Sequence, residues 1–121
     1  MGAITDEYMR KMLAKARPFT VVILHKSPLR DDPDADTVVW EHGRRNFELR
    51  RDRKLLIVCP MNDSSNVRGL CIFSTDPEET RKIMDDDPAI RAGIFTYEIH
   101  AAESFPGDSL SAGKSRHQKA P

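Results

Sequence analysis

The apolar residues of this chain come in short runs rich in β-branched side chains, and this most constrains its fold. Phe19 to Leu24 and Leu55 to Cys59 are the longest. Neither approaches the roughly 20 residues that span a bilayer, so no membrane partner is expected. Runs of this length, bounded by Pro, Asp and Gly, read as buried strands. Phe19 to His25 is the first. Lys54 to Pro60 and Val67 to Ser74 follow, separated by the turn Met61 to Asn66, and should form an antiparallel hairpin. Ile94 to Ala101 is the fourth, a period-two strand with Phe95, Tyr97 and Ile99 on one face.

Helical periodicity fills the gaps. Ile4 to Ala16 places Tyr8, Met9, Met12 and Leu13 on one face, with Thr5 or Asp6 able to cap it, and Pro18 ends it. Ser27 to Asp34 is a proline- and aspartate-rich loop. Ala35 to Arg51 puts Val38, Val39, His42, Asn46 and Leu49 on one face, widened by Trp40 and Phe47, with Asp34 or Asp36 as the cap. Gly43 inside that helix costs roughly 1 kcal/mol relative to Ala, which close packing of helix on sheet would explain. Asp76-Pro77-Glu78-Glu79 starts a helix running to about Asp86, and Asp87-Pro88 ends it. The order is β–α–β–β–α–β behind an extra helix. This is the split βαβ pattern of a ferredoxin-like α+β domain. Residues 1–17 form the extra helix, 18–104 the domain and 105–121 a flexible tail poor in apolar residues. One sheet face is covered by helices. The other needs a second subunit or the N-terminal helix.

Composition narrows the function classes. Nineteen basic residues balance nineteen acidic ones, so nucleic acid and anionic membranes are not expected partners. Strand aromatics are few, which speaks against RNA stacking on the sheet. Without an uninterrupted apolar segment at the N-terminus, no signal peptide is read. Cys59 and Cys71 are then reduced thiols in a cytoplasmic protein rather than a disulfide framework. No spacing of Cys or His suggests a metal site, and no glycine loop suggests a phosphate site.

His42, then Leu55-Leu56 thirteen residues on, then Pro60, then the stretch from Gly69 to Ile99 with Asp87-Pro88 and Ala92-Gly93, together resemble the YCII-related (YciI-like) domain family. The resemblance covers roughly Phe19 to Ala101. It implies a dimeric α/β barrel, hence a homodimer, with a His–Asp pair in a cleft. That family includes a dehydrochlorinase acting on a chlorinated hydroxyquinol, and muconolactone isomerases fold similarly. One departure stands out. The family's Gly-Pro is Cys59-Pro60 here, which removes a glycine that would let backbone approach a ligand closely.

On the residues alone, His42 is a helix-face histidine suited either to proton transfer or to a backbone hydrogen bond. Asp87 closes an acidic run at a helix end, where it opposes the macrodipole and can simply form a turn. The resemblance makes the two a catalytic pair, with Asp87 orienting the imidazole. Ser27, Arg45 and Cys59 are the expected ligand-binding residues. Ser27 ends the first strand at a pocket rim, Arg45 can bind an anion, and Cys59 occupies the family's glycine position. Cys71 could join a nucleophile, although buried structural thiols are commoner. Tyr97 reads as core. The resulting expectation is a lyase- or isomerase-type enzyme, needing no cofactor, that acts on a small cyclic or phenolic molecule. The alternative is a non-catalytic dimeric module that binds a small molecule or a protein.

Overall fold

The structure, a computed structural model, describes residues 2–112. These fall into two compact units: the N-terminal helix with the C-terminal residues, and Pro18–Glu103. In the first, α1 spans Asp6–Leu13. The Thr5 hydroxyl caps it by accepting the Tyr8 N–H at 3.1 Å, with Asp6 and Glu7 in the first turn. Its apolar residues Tyr8, Met9 and Leu13, and Ile4 just before it, are exposed. Residues 105–112 adopt no helix or strand. The rest of the predicted tail, 113–121, lies outside the described residues.

The second unit is α+β. Strands β1 (Arg17–Lys26), β2 (Leu55–Pro60), β3 (Val67–Phe73) and β4 (Phe95–Ser104) form one open antiparallel sheet in the order β2-β3-β1-β4. The β1–β3 and β2–β3 ladders are antiparallel: Val22 faces Cys71 across β1–β3, and Val58 faces Cys71 across β2–β3. Helix α2 (Ala35–Arg51) joins β1 to β2. Helices α3 (Pro77–Asp85) and α4 (Pro88–Arg91) join β3 to β4. The loop after β1 contains a single 3₁₀ turn, Pro28–Asp31.

Alternation divides the sheet cleanly. Thr20, Val22 and Leu24 of β1 and Gly69, Cys71 and Phe73 of β3 are buried on one face. Ile83, Met84, Ala89 and Phe95 complete that core. Phe73, Leu55 and Val22 are among its largest fully buried side chains, and each such burial contributes roughly 1.5–3 kcal/mol. The opposite face carries Val21, Ile23, Leu70 and Ile72, all half-buried.

Helix starts follow their local chemistry. Asp76 accepts the Glu79 N–H at 2.7 Å and Pro77 sits at the first helical position of α3. Thr80, fully buried in α3, donates to the Asp76 carbonyl at 2.7 Å. Thr20 of β1 donates to the Thr75 carbonyl, also at 2.7 Å, so the start of α3 is pinned to the middle of the sheet. Asp34 stands at the α2 N-cap position but makes no side-chain cap bond. Gly93, at φ +72°, occupies the left-handed region that glycine tolerates, and this turns the chain from α4 into β4.

Two sequence expectations about α2 need correction. A Cβ placed on Gly43 would meet no atom within 4 Å, so the glycine does not serve close packing on the sheet. Trp40 and Phe47 do not widen the core stripe: they are 70% and 67% exposed. No helix among the described residues is long and apolar enough to cross a membrane.

Candidate functional site

The inner face of α2 carries Val39, His42 and Asn46, one turn apart. Beneath them lie the core-facing residues of the sheet. Between helix and sheet is a cleft of about 920 Å³, floored by Leu24, Val58, Gly69, Cys71 and Phe95, with His42 and Asn46 on its wall. That volume lies in the range of small-molecule sites.

His42 is held from two sides. Its Nδ1 lies 2.8 Å from Oδ2 of Asp87, and the Phe95 ring packs edge-on against the imidazole at 5.3 Å. A carboxylate only accepts, so Nδ1 carries the proton and donates it. Nε2 is left with its lone pair, and the Asn46 side-chain amide donates to it at 3.3 Å. The His42 side chain is 12% exposed and that of Asp87 only 1%. His42 and Asn46 line the cleft; Asp87 does not. The geometry is that of a base oriented from behind by a buried carboxylate, with its second nitrogen at the ligand space.

Asp87 has two partners because of its local sequence. Pro88 forces the preceding residue out of the α region and takes the first position of α4. Asp87 becomes the N-cap of that helix, and its Oδ1 accepts the Ala89 N–H at 2.8 Å. Oδ2 remains for His42. The turn role and the pairing role read from the sequence are therefore both present. The neighbouring acids are engaged too. Asp85 accepts the Tyr97 hydroxyl at 2.5 Å, and burial together with that carboxylate pushes the Tyr97 phenol up to about 12. Asp86 lies 3.4 Å from Arg91.

The remaining expected site residues are placed elsewhere. Arg45 is not in the cleft wall. Its guanidinium reaches back to Asp87 at 3.7 Å and Asp86 at 4.0 Å, and its buried Nη1 has no hydrogen-bond partner among the described residues. Ser27 caps the 3₁₀ turn by accepting the Leu29 N–H at 3.2 Å, and donates to the Gly93 carbonyl at 2.6 Å; it does not line the cleft. Cys59 pairs with Leu70, one step out of phase with the cleft residues Val58 and Cys71, so strand alternation turns it to the other face. Cys71 does reach the cleft, but burial pushes its thiol up to about 12. It stays protonated near neutral pH and is a poor nucleophile. The sequence reading missed Gly43, Phe47 and Arg50 as cleft residues. The unexplained helix-interior glycine was the signal that could have found them. No group of His, Cys, Asp and Glu among the described residues could hold a metal ion.

Burial pushes the Asp87 carboxyl up. The hydrogen bond and charge of His42, the Ala89 N–H and the Arg45 charge outweigh it and hold the group below the usual carboxylate range. A carboxylate held low stabilises the fold above its unfolded pKa of about 3.9. That contribution disappears as pH falls through the lower folded value. Asp87→Asn should therefore be less stable at pH 7, by about 1–3 kcal/mol, and should lose less stability on acidification. Urea unfolding of both proteins between about pH 5 and pH 2 checks this. Parallel acid limbs would contradict it.

No family model matches the chain, and no curated protein matches it. Among solved structures it is similar to the solution structure of the C-terminal domain of the MgtC protein from Mycobacterium tuberculosis. That likeness has 13% identity and a TM-score of 0.38, and spans 78% of this chain and 96% of that one. A likeness this slight carries no argument about fold or function.

Proposed function

We propose that this chain is a ferredoxin-like, YCII-related domain that assembles as a dimeric α/β barrel and catalyses proton transfer on a small cyclic or phenolic substrate, as a lyase or isomerase. The observation that carries the reading is the His42–Asp87 hydrogen bond at 2.8 Å, buried at one end and opening on a cleft at the other. Substrate would displace the long Asn46 bond and present an acidic C–H or O–H to Nε2. The proton would pass to Nε2, giving an imidazolium whose Nδ1–H stays on Asp87. Isomerisation returns the proton to a second atom of the substrate. A lyase reaction instead expels a leaving group with the electron pair. Asp87 takes no proton itself; it fixes the tautomer and offsets the charge on the ring. The contact and the open cleft together favour this reading over a binding-only module.

The element order β–α–β–β–α–β in the second unit and the sheet order β2-β3-β1-β4 support the ferredoxin-like assignment. The half-buried residues Val21, Ile23, Leu70 and Ile72 give a second copy an apolar face to cover.

A substrate screen on cyclic enols and phenols is the direct test. His42→Ala should lower kcat/KM by about 10²–10⁴ with the fold intact. A reaction that survives this change rules out the pair as catalyst. Sedimentation equilibrium tests the assembly: two chains of 13.7 kDa each should associate at micromolar concentration, and Ile72→Arg should dissociate them. A monomer under those conditions contradicts the barrel.

A further inference from the structure

Gly43 is a helix-interior residue whose cost the packing leaves unexplained. It sits mid-way along α2, where Ala would be roughly 1 kcal/mol better, and a Cβ there would touch nothing. What its missing side chain does is open the wall of the cleft. Gly43 lines both the His42 cleft and an adjoining apolar groove of about 530 Å³ on the outer side of α2. The helical stripe Trp40, Gly43, Phe47, Arg50 runs beside the inner stripe Val39, His42, Asn46. The glycine thus leaves a gap between two exposed aromatics, next to His42 in the chain.

The charges around this gap are unequal in their engagement. Arg30 is paired with Asp36 at 2.9 Å, Arg44 with Glu41 at 3.1 Å and Lys26 with Asp31 at 3.5 Å. Arg68 is bound to its own loop through the carbonyls of Asp63 and Ser65. The Asp32 carboxylate accepts the Asp34 N–H at 2.9 Å. Arg50 has no carboxylate partner among the described residues; its guanidinium carbon lies 5.4 Å from the centre of the Phe47 ring. A cation on an aromatic face is attracted to the ring and keeps its N–H groups for a ligand anion.

We infer that Trp40, Gly43, Phe47 and Arg50 form the entrance and specificity site of the cleft, and that the ligand admitted is a small planar carboxylate. Its ring lies over Gly43 against Phe47 and Trp40, and its carboxylate pairs with Arg50. The ring's far edge reaches the apolar floor and His42. This rests on the proposed function for the chemistry that follows entry, but not for entry itself.

Binding is therefore measured without turnover, on the full chain. Trp40 is the single tryptophan of the sequence, and its emission reports on the entrance directly. The probes are benzoate, benzyl alcohol (same ring, no charge) and cyclohexanecarboxylate (same charge, not planar). Benzoate should change Trp40 emission saturably, and the other two should bind about tenfold more weakly or worse, the loss of one charge-assisted bond or one stacked ring. Arg50→Gln should remove the preference for benzoate over benzyl alcohol. Gly43→Ala should raise Tm and keep binding, showing that a side chain is tolerated by the helix. Gly43→Leu should fill the gap and lose the signal for every probe. Binding is read without turnover, so the two readings fail separately. A chain that binds benzoate with the stated preference but turns over no cyclic enol or phenol fails the catalytic reading alone. One that turns over such a substrate but shows no preference for benzoate fails this one. The inference is overturned if benzoate gives no saturable change, or if Arg50→Gln keeps the preference. It is equally overturned if Gly43→Leu binds like wild type, or if Trp40 emission shifts with protein concentration alone, which would make a second copy the occupant.

Discussion

The Asp87 carboxylate is the interaction on which the rest of the site depends. A buried charge is costly unless every lone pair finds a donor. Here one oxygen holds the first N–H of α4 and the other holds His42, with the Arg45 charge nearby. The first bond fixes where α3 ends and α4 begins. The second reaches across 45 residues to α2 and sets the rotation of that helix about its axis. With His42 turned inward, Asn46 follows it to the cleft, and Gly43 falls on the cleft's lip. Remove the carboxylate and the imidazole loses both its orientation and its preferred tautomer.

The sheet supplies the floor under that arrangement. Its alternation sends Leu24, Gly69, Cys71 and Phe95 to the helix side and Val21, Ile23, Leu70 and Ile72 to the other. The cleft exists because α2 stands over small residues at Gly69 and Cys71, while the larger Phe73 and Leu55 lie deep in the core. Apolar walls around a hydrogen-bonded imidazole also strengthen the His42–Asp87 interaction by keeping water from its buried end.

Much of this was legible in the sequence where the signal was local. The span of α2, Ala35 to Arg51, is the same in the sequence and in the structure, because 17 residues of helical periodicity between a Pro-Asp loop and a strand leave little choice. The Asp76-Pro77 start and the β2–β3 hairpin were equally local. What failed depended on tertiary context. The expectation that Cys59 lies on the ligand side rests only on a resemblance, whereas the irregular pairing between Leu55 and Ile57 settles which residues of β2 share the cleft face. Arg45 looked like an anion binder, but Asp86 and Asp87 reach it from another helix. Ser27 looked like a rim hydroxyl and is a turn cap. Trp40 and Phe47 counted as core by hydrophobicity, although periodicity alone cannot say how wide a buried stripe is. Gly43 carries information in the opposite sense to close packing: an expensive residue that no packing requires points to space that is kept open.

The central claim is that Asp87 fixes His42 with the proton on Nδ1 and the lone pair on Nε2. Long-range ¹H–¹⁵N correlation spectra of the imidazole rings test it directly, at a pH where the ring is neutral, with His42 assigned by its absence in His42→Gln. The account predicts the Nδ1–H tautomer for His42, with a low-field hydrogen-bonded proton that Asp87→Asn removes or shifts. An Nε2–H tautomer, or a His42 spectrum unchanged by Asp87→Asn, would contradict it.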